Sequence, residues 1–199
     1  ASFSTLARQC AARGLAGLEW AASIPGTVGG AVVGNAGAWG GDVASTLVQA
    51  RVLEPGGAVS VWPVARLAYG YRTSALKRQE SRAVVLEAES ALHPGSREDL
   101  ESRMAEMAAR RKASQPPGAT CGSVFQNPPG DYAGRLIEAA GLKGTRQGGA
   151  EISPLHANFI VNRGGATAAD VKALIALACE TVEARFGVRL VLEIELIGE

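Results

Sequence analysis

The sequence has 199 residues, 47% of them hydrophobic and 20% charged, with a formal net charge of +1. That balance excludes an intrinsically disordered chain and offers no basic surface of the kind nucleic acid requires. No apolar run reaches the length a transmembrane helix needs, and the opening ASFSTLARQC lacks a signal-peptide layout, so no membrane partner is expected. Three cysteines, Cys10, Cys121 and Cys179, are odd in number and share no metal-type spacing, which fits a reducing, cytoplasmic setting. With only His93 and His156 as imidazoles, a histidine-built metal site is not expected.

The chain opens on a helix with Leu6 and Cys10 on one face, and no initiator Met precedes it, as expected of a fragment. Next comes SIPGTVGGAVVGNAGAWGGD, residues 23–42, with seven glycines and one charged side chain, Asp42. A flexible linker would carry more Ser, Pro, Glu and Lys. Ile24, Val28, Val32, Val33 and Trp39 instead belong to a packed domain. Glycine permits positive φ and close approach of backbone to a ligand. The stretch therefore reads either as a wall of main-chain amides against something flat or anionic, or as a chain of tight turns. It holds neither a P-loop nor a Gly-x-Gly-x-x-Gly fingerprint.

Residues 48–62 read as a hairpin, Val48, Val52, Val59 and Val61 flanking Glu54-Pro55-Gly56-Gly57, where Pro-Gly at the centre predicts a type II turn. Residues 82–92 read as a strand with Val84, Leu86 and Ala88 alternating. Ser96 to Asp99 resembles a capping box, followed at helical spacing by Leu100, Met104, Met107 and Ala108 and closed by Arg110, Arg111 and Lys112. Gln115-Pro116-Pro117-Gly118 ends that helix and marks a domain boundary. Beyond it come a short helix over 134–140, a strand at Phe159–Val161, and a long helix capped by Thr167 and stopped at Gly187. A closing strand over 188–198 places Val188, Leu190, Leu192, Ile194 and Leu196 on one face. The class is α+β.

Four groups of residues could carry chemistry. Arg72, in Tyr69-Gly70-Tyr71-Arg72-Thr73-Ser74, has a planar fork suited to a carboxylate or phosphate, and equally could stack on a neighbouring Tyr at the surface. Ser123, in Cys121-Gly122-Ser123-Val124-Phe125-Gln126-Asn127-Pro128, could donate a proton or simply cap a turn. No Gly-x-Ser-x-Gly accompanies it, so a hydrolase triad is not expected. Glu193 and Glu195 share the more polar face of the closing strand, and spacing does not separate them. His156, before Ala157-Asn158-Phe159, reads as a structural hydrogen-bonding group. Taken singly, the structural reading leads for Arg72, Glu193 and His156.

Their order is more specific. Gly17 to Trp20, Ile24 to Gly30, Gly34 to Gly37, Gly70 to Arg72, Gly122 to Phe125, His156 to Asn162 and the closing Glu193 to Gly198 together resemble the UDP-N-acetylenolpyruvoylglucosamine reductase (MurB) family, flavoenzymes of peptidoglycan synthesis. The resemblance runs along essentially the whole chain. It implies the C-terminal part of a two-lobed FAD-binding domain over 1–112, a smaller α/β substrate-binding domain over 113–185, and a closing strand, 186–199, that returns to the first domain. It implies FAD and NADPH as cofactors and a UDP-sugar as the small-molecule partner. Ile24, Pro25, Gly26, Gly29, Gly30, Asn35 and Gly37 would line the flavin. Hydride would pass to C3 of the enolpyruvyl group, leaving an enolate-like C2. Arg72 would clamp the substrate carboxylate, Glu193 would polarise the same region, and Ser123 would protonate C2. Asn127 and His156 match positions on the UDP-sugar side, Tyr71 would pack beside the reaction centre, and Lys112 is a further candidate for the diphosphate. Gln126 stands where the family usually has Lys, and Val191-Leu192 where it has Glu-Pro. The short interval from Arg72 to Ser123 resembles the subclass without an extra substrate-covering loop. Nothing here corresponds to the N-terminal glycine-rich turn of the family. Another flavin oxidoreductase of the same architecture, or a UDP-sugar-binding fragment without catalysis, are the alternatives.

Overall fold

The structure is a computed structural model that describes residues 1–198. It divides into two compact units, with the break between Arg111 and Lys112.

In the first unit, α1 (Phe3–Ala12) starts at Ser2, whose Oγ accepts from the Thr5 amide, and buries Phe3, Ala7, Cys10 and Ala11. Phe3 meets the edge of Trp20 at 5.5 Å between ring centroids. β1 (Leu15–Ala16) follows, then α2 (Val28–Gly34), so the glycine-rich stretch is not continuous loop. Thr27 caps α2, and Asn35 ends it in the left-handed region at φ 46°. β2 (Gly37–Ala38) and β3 (Gly41–Asp42) pair as a minimal ribbon. β4 (Leu47–Leu53) is the centre of an antiparallel sheet, with β5 (Val59–Pro63) on one side and β6 (Val84–Ser90) on the other. β7 (His93–Pro94) pairs with β1, and α3 (Arg97–Ser114) buries Leu100 and Met104.

Two local expectations are corrected here. In the hairpin turn the positive φ falls on Gly57 (85°), not Gly56, and Gly57 N–H donates to Glu54 O at 2.9 Å. A type II turn requires positive φ one residue earlier, so this is a different turn, with the left-handed residue placed after the central pair. In β6, Val85 pairs with Val52 and Glu87 with Arg51, which leaves Leu86 as an inserted residue. The bulge breaks the alternation: Val84 and Leu86 are exposed, while Val85 and Ala88 pack on the core. Beside the same turn, the Glu54 carboxylate accepts from Ser60 Oγ at 2.7 Å and Trp62 Nε1 at 2.8 Å, and Arg66 lies over the Trp62 ring.

The second unit holds an antiparallel sheet in the order β8 (Thr120–Ser123), β11 (Phe159–Asn162), β10 (Ala150–Ile152), β9 (Arg146–Gln147). Its core also draws on α4 (Ala133–Ala139) and α5 (Ala168–Phe186). Thr167 and Asp170 form a reciprocal capping box at the start of α5, and Gly187 ends the helix at φ 68°. Among the described closing residues there is no extended ladder: Leu192 makes one isolated bridge to Phe125. Leu190 is buried, and Val188, Leu192 and Ile194 pack on the core of this second unit, while Leu196 is exposed. The closing segment thus packs within the second unit. Its odd-even alternation persists only to Ile194, where apolar contacts end.

Candidate active site

In the second unit, Ser123 stands at the end of β8, after a bulge. Phe159 pairs with Ser123 and Val161 with Thr120, so β8 carries one residue more than β11 in this interval. Gly122 takes φ 81°, a left-handed conformation that side chains resist, and open space surrounds its Cα. Its glycine is therefore required by backbone shape and not by crowding. Bulges re-aim the next side chain, and here that is Ser123.

The chain then continues past the strand end, held from both sides. On one side Asn158, 4% exposed, donates from Nδ2 to Phe125 O at 2.8 Å and accepts at Oδ1 from Phe125 N at 2.9 Å. Its carbonyl accepts from Val124 N at 2.9 Å. On the other side Gln126 N donates to Val191 O and Glu193 N to Val124 O, both at 2.8 Å. Glu193 and Ser123, 70 positions apart in sequence, thus lie on either side of Val124: one bonded to it through backbone, the other adjacent in chain. Glu195 is exposed, a distinction that spacing did not supply.

Ser123 also lines a concavity of about 360 Å³, together with Asn127, Tyr132, Arg135, His156 and Asn158 among others. Three expected residues, Ser123, Asn127 and His156, meet in it. Asn127 Oδ1 accepts from Ala133 N at 3.1 Å, which leaves its amide NH2 to serve another acceptor. His156 is half-buried, meets the edge of Phe159, and accepts at Nδ1 from Asn158 N at 3.2 Å. Burial first, and nearby Lys143 second, hold its pKa below the ordinary 6.5, so the ring is neutral at pH 7 with its proton on Nε2. Gly134 leaves room for that ring: a Cβ there would stand 2.9 Å from His156 Cε1. Arg135 forms a bidentate pair with Asp131, whose carboxyl is held down at about 2 by that hydrogen bonding. Sequence reasoning missed Tyr132, Arg135 and Asn158, although Asn158 lies inside the quoted His156 to Asn162 run. Lys112 is exposed on α3 and does not line this concavity.

In the first unit, the glycines of the 23–42 stretch do different things. A Cβ on Gly41 would stand 2.4 Å from Trp20 Cδ1, and one on Gly37 would stand 2.7 Å from Gly41 O. These two are glycine because the ribbon is packed tightly. Gly26, Gly34 and Gly40 face open space instead. Asn35 is 3% exposed, and its side chain is engaged inside the fold: Nδ2 donates to Gly70 O at 2.9 Å, and Oδ1 accepts from Ala44 N at 3.0 Å. The buried amide ties the glycine-rich stretch to the turn that carries Tyr71 and Arg72. In that turn Gly70 and Thr73 exchange backbone hydrogen bonds, Arg72 takes φ 55°, and its guanidinium donates to Gly37 O and lies over the Tyr71 ring. Tyr69 Oη and Ser74 Oγ donate to the Val32 and Val33 carbonyls at the end of α2, groups a helix leaves unsatisfied. Ser23 Oγ, immediately before Ile24, is buried and finds no hydrogen-bond partner among the described residues. Among those residues no helix is long and apolar enough to cross a membrane.

A model of the C-terminal domain of UDP-N-acetylenolpyruvoylglucosamine reductase matches residues 113–197, and a model described as an FAD binding domain matches residues 1–61. The UDP-N-acetylenolpyruvoylglucosamine reductase of Chloroflexus aggregans is 57% identical over 194 residues, 96% of this chain and 65% of that protein. That of Rubrobacter xylanophilus is 48% identical over 199 residues, 66% of its own length. The crystal structure of the MurB reductase from Thermus caldophilus aligns with a TM-score of 0.86 at 40% identity, over 98% of this chain and 69% of that one. The chain spans about 65% of the length of the first curated relatives it matches.

Proposed function

Because the chain belongs to the UDP-N-acetylenolpyruvoylglucosamine reductase (MurB) family, we propose that it serves the NADPH-dependent reduction of an enolpyruvyl UDP-N-acetylglucosamine to UDP-N-acetylmuramate, with FAD as hydride carrier. The observation that carries this reading is the second unit's concavity. It is lined by Ser123, Asn127 and a neutral His156, while Glu193 is hydrogen-bonded through its backbone to the residue after Ser123.

Whether the residues present suit the flavin can be judged on Ser23. A buried hydroxyl without a partner is costly in a finished fold, and such groups call for a ligand or water. Here it adjoins Ile24, Pro25 and Gly26, where a side chain on Gly26 would meet nothing within 4 Å. Open backbone beside an orphaned donor fits a bound cofactor. Ile24, Pro25, Gly26, Gly29, Gly30, Asn35 and Gly37 would line FAD, which when bound would supply the hydride for the enolpyruvyl double bond.

The protein's part is to hold and move protons and charge. Arg72 clamps the substrate carboxylate with its planar fork. The Ser123 hydroxyl supplies the proton that C2 takes up. A serine is a weak acid, so this step depends on a strongly basic enolate-like carbon held close to Oγ. Glu193 lies toward the same carboxylate region and helps polarise it. Asn127, through its amide NH2, and His156, through Nε2–H, present donors to the UDP-sugar, and Tyr71 packs beside the reacting group. Lys112 remains a candidate for the diphosphate. The chain's setting is the cytoplasm, where NADPH and nucleotide sugars meet.

The test is a pair of half-reactions on the flavin-loaded protein. Ser123→Ala is expected to leave NADPH bleaching of the flavin band unchanged and to slow product formation by about 10²–10⁴-fold. Wild-type turnover in that variant would remove Ser123 from the mechanism. Flavin bleaching by a sugar or alcohol without NADPH would point to an oxidase. UDP-sugar binding by a protein that takes up no flavin would leave a binding module.

A further inference from the structure

We propose that Asn158 is a positioning residue for the reduction, one that holds Ser123 and Glu193 in mutual register; this rests on the function proposed above. β8 ends at Ser123, yet the next residues must stay straight to carry both groups. Asn158 extends the sheet by one pair, using a side chain where a strand would use backbone. Its main-chain carbonyl receives Val124 N, and its amide returns both hydrogen bonds of Phe125. The closing segment bonds to the opposite edge of the same residues, Glu193 N to Val124 O and Gln126 N to Val191 O. The stretch 124–126 is therefore the middle of a three-layered backbone arrangement, and Asn158 supplies one of its outer layers.

Asparagine fits this task for a chemical reason. Its amide carries a donor and an acceptor in one plane, as a peptide group does, and both are buried. Aspartate keeps the acceptor for Phe125 N and loses the donor for Phe125 O. Alanine loses both. The clamp also starts from a fixed place, since Asn158 N donates to His156 Nδ1 within the same concavity. No part of Asn158 is asked to touch the reacting atoms, so its influence runs through Ser123 and Glu193 alone.

That distinction gives the experiment. In the flavin-loaded protein, NADPH bleaching of the flavin, reoxidation of the reduced flavin by the enolpyruvyl UDP-sugar, and UDP affinity are measured for wild type, Asn158→Ala and Asn158→Asp. Reoxidation is expected to slow by about 10- to 100-fold, the range for misplaced catalytic groups, while bleaching stays at the wild-type rate. UDP affinity is expected to change less than about threefold, so the loss falls on kcat and not KM. Equal loss in both half-reactions, or wild-type reoxidation in both variants, overturns the proposal. Failure of both variants to fold makes Asn158 a purely structural residue and overturns it as well. If the wild type itself bleaches with NADPH and is not reoxidised by the enolpyruvyl substrate, the functional reading falls first, and the positioning role with it.

Discussion

Each unit of this molecule buries one asparagine to hold the segment that carries its proposed reactive side chain, and the two do it differently. Asn35 ties distant pieces together: its acceptor serves Ala44 and its donor serves Gly70, next to the turn of Arg72. The Asn158 side chain closes on a single residue, donating to Phe125 O and accepting from Phe125 N. The first is a junction, the second a splint. A junction failing should loosen a whole loop system and show in stability. A splint failing should leave the fold standing and show in the chemistry.

Asn35→Ala is the largest expected effect on stability. It strands Ala44 N–H, takes one of two donors from Gly70 C=O, which keeps Thr73 N, and forces Ala into the left-handed region, for a cost of about 2–4 kcal/mol in a urea titration. A loss under half a kcal/mol would mean that the junction is dispensable. The glycines sharpen the same contrast. Gly41→Ala drives a methyl into the Trp20 ring and is expected to cost about 1–3 kcal/mol. Gly122→Ala meets only an unfavourable φ, about 1–2 kcal/mol, but misdirects Ser123 and should slow product formation more than its stability loss explains. If Gly41→Ala impaired turnover selectively and Gly122→Ala did not, the division of roles would be reversed.

Next in size is a pH effect. His156 has a lower pKa folded than unfolded, so between the two values the unfolded chain binds more protons. Stability contributed by the neutral ring is present above the unfolded value near 6.5 and declines as pH falls below it. His156→Gln should flatten that slope in thermal melts at pH 5 to 7; an unchanged slope would assign it to other groups. Smallest is Ser23→Ala. Removing an orphaned hydroxyl should leave the flavin-free protein unchanged or up to about 1 kcal/mol more stable, while weakening FAD retention on desalting. Equal retention would separate Ser23 from the cofactor.

What could be read from the sequence was what local chemistry decides. Thr167 with Asp170, and Gly187 at the far end, delimit α5 without help from the rest of the fold. Strand faces needed more, because the bulge at Leu86 inverts the alternation and only the partner strand determines where it falls. The turn glycine was misplaced by one position for a similar reason: Gly56 and Gly57 are alike in sequence, and strand pairing chooses between them. Of the concavity, Ser123, Asn127 and His156 were singled out through their family pattern. The adjacency of Ser123 and Glu193 was not, since it arises from backbone bonds across 70 positions. Nor was the use of Asn158, whose partner is Phe125, or the engagement of Asn35 with Gly70 and Ala44.

The placement of the aromatic indoles has a practical side. Trp20, Trp39 and Trp62 are the three tryptophans of the chain, and all belong to the first unit. Fluorescence excited at the red edge of protein absorbance therefore reports that unit alone, whereas far-UV circular dichroism sums both. Melts followed by the two probes coincide only if the units unfold together. The molecule thus carries its own optical label for asking whether its two halves share one unfolding transition.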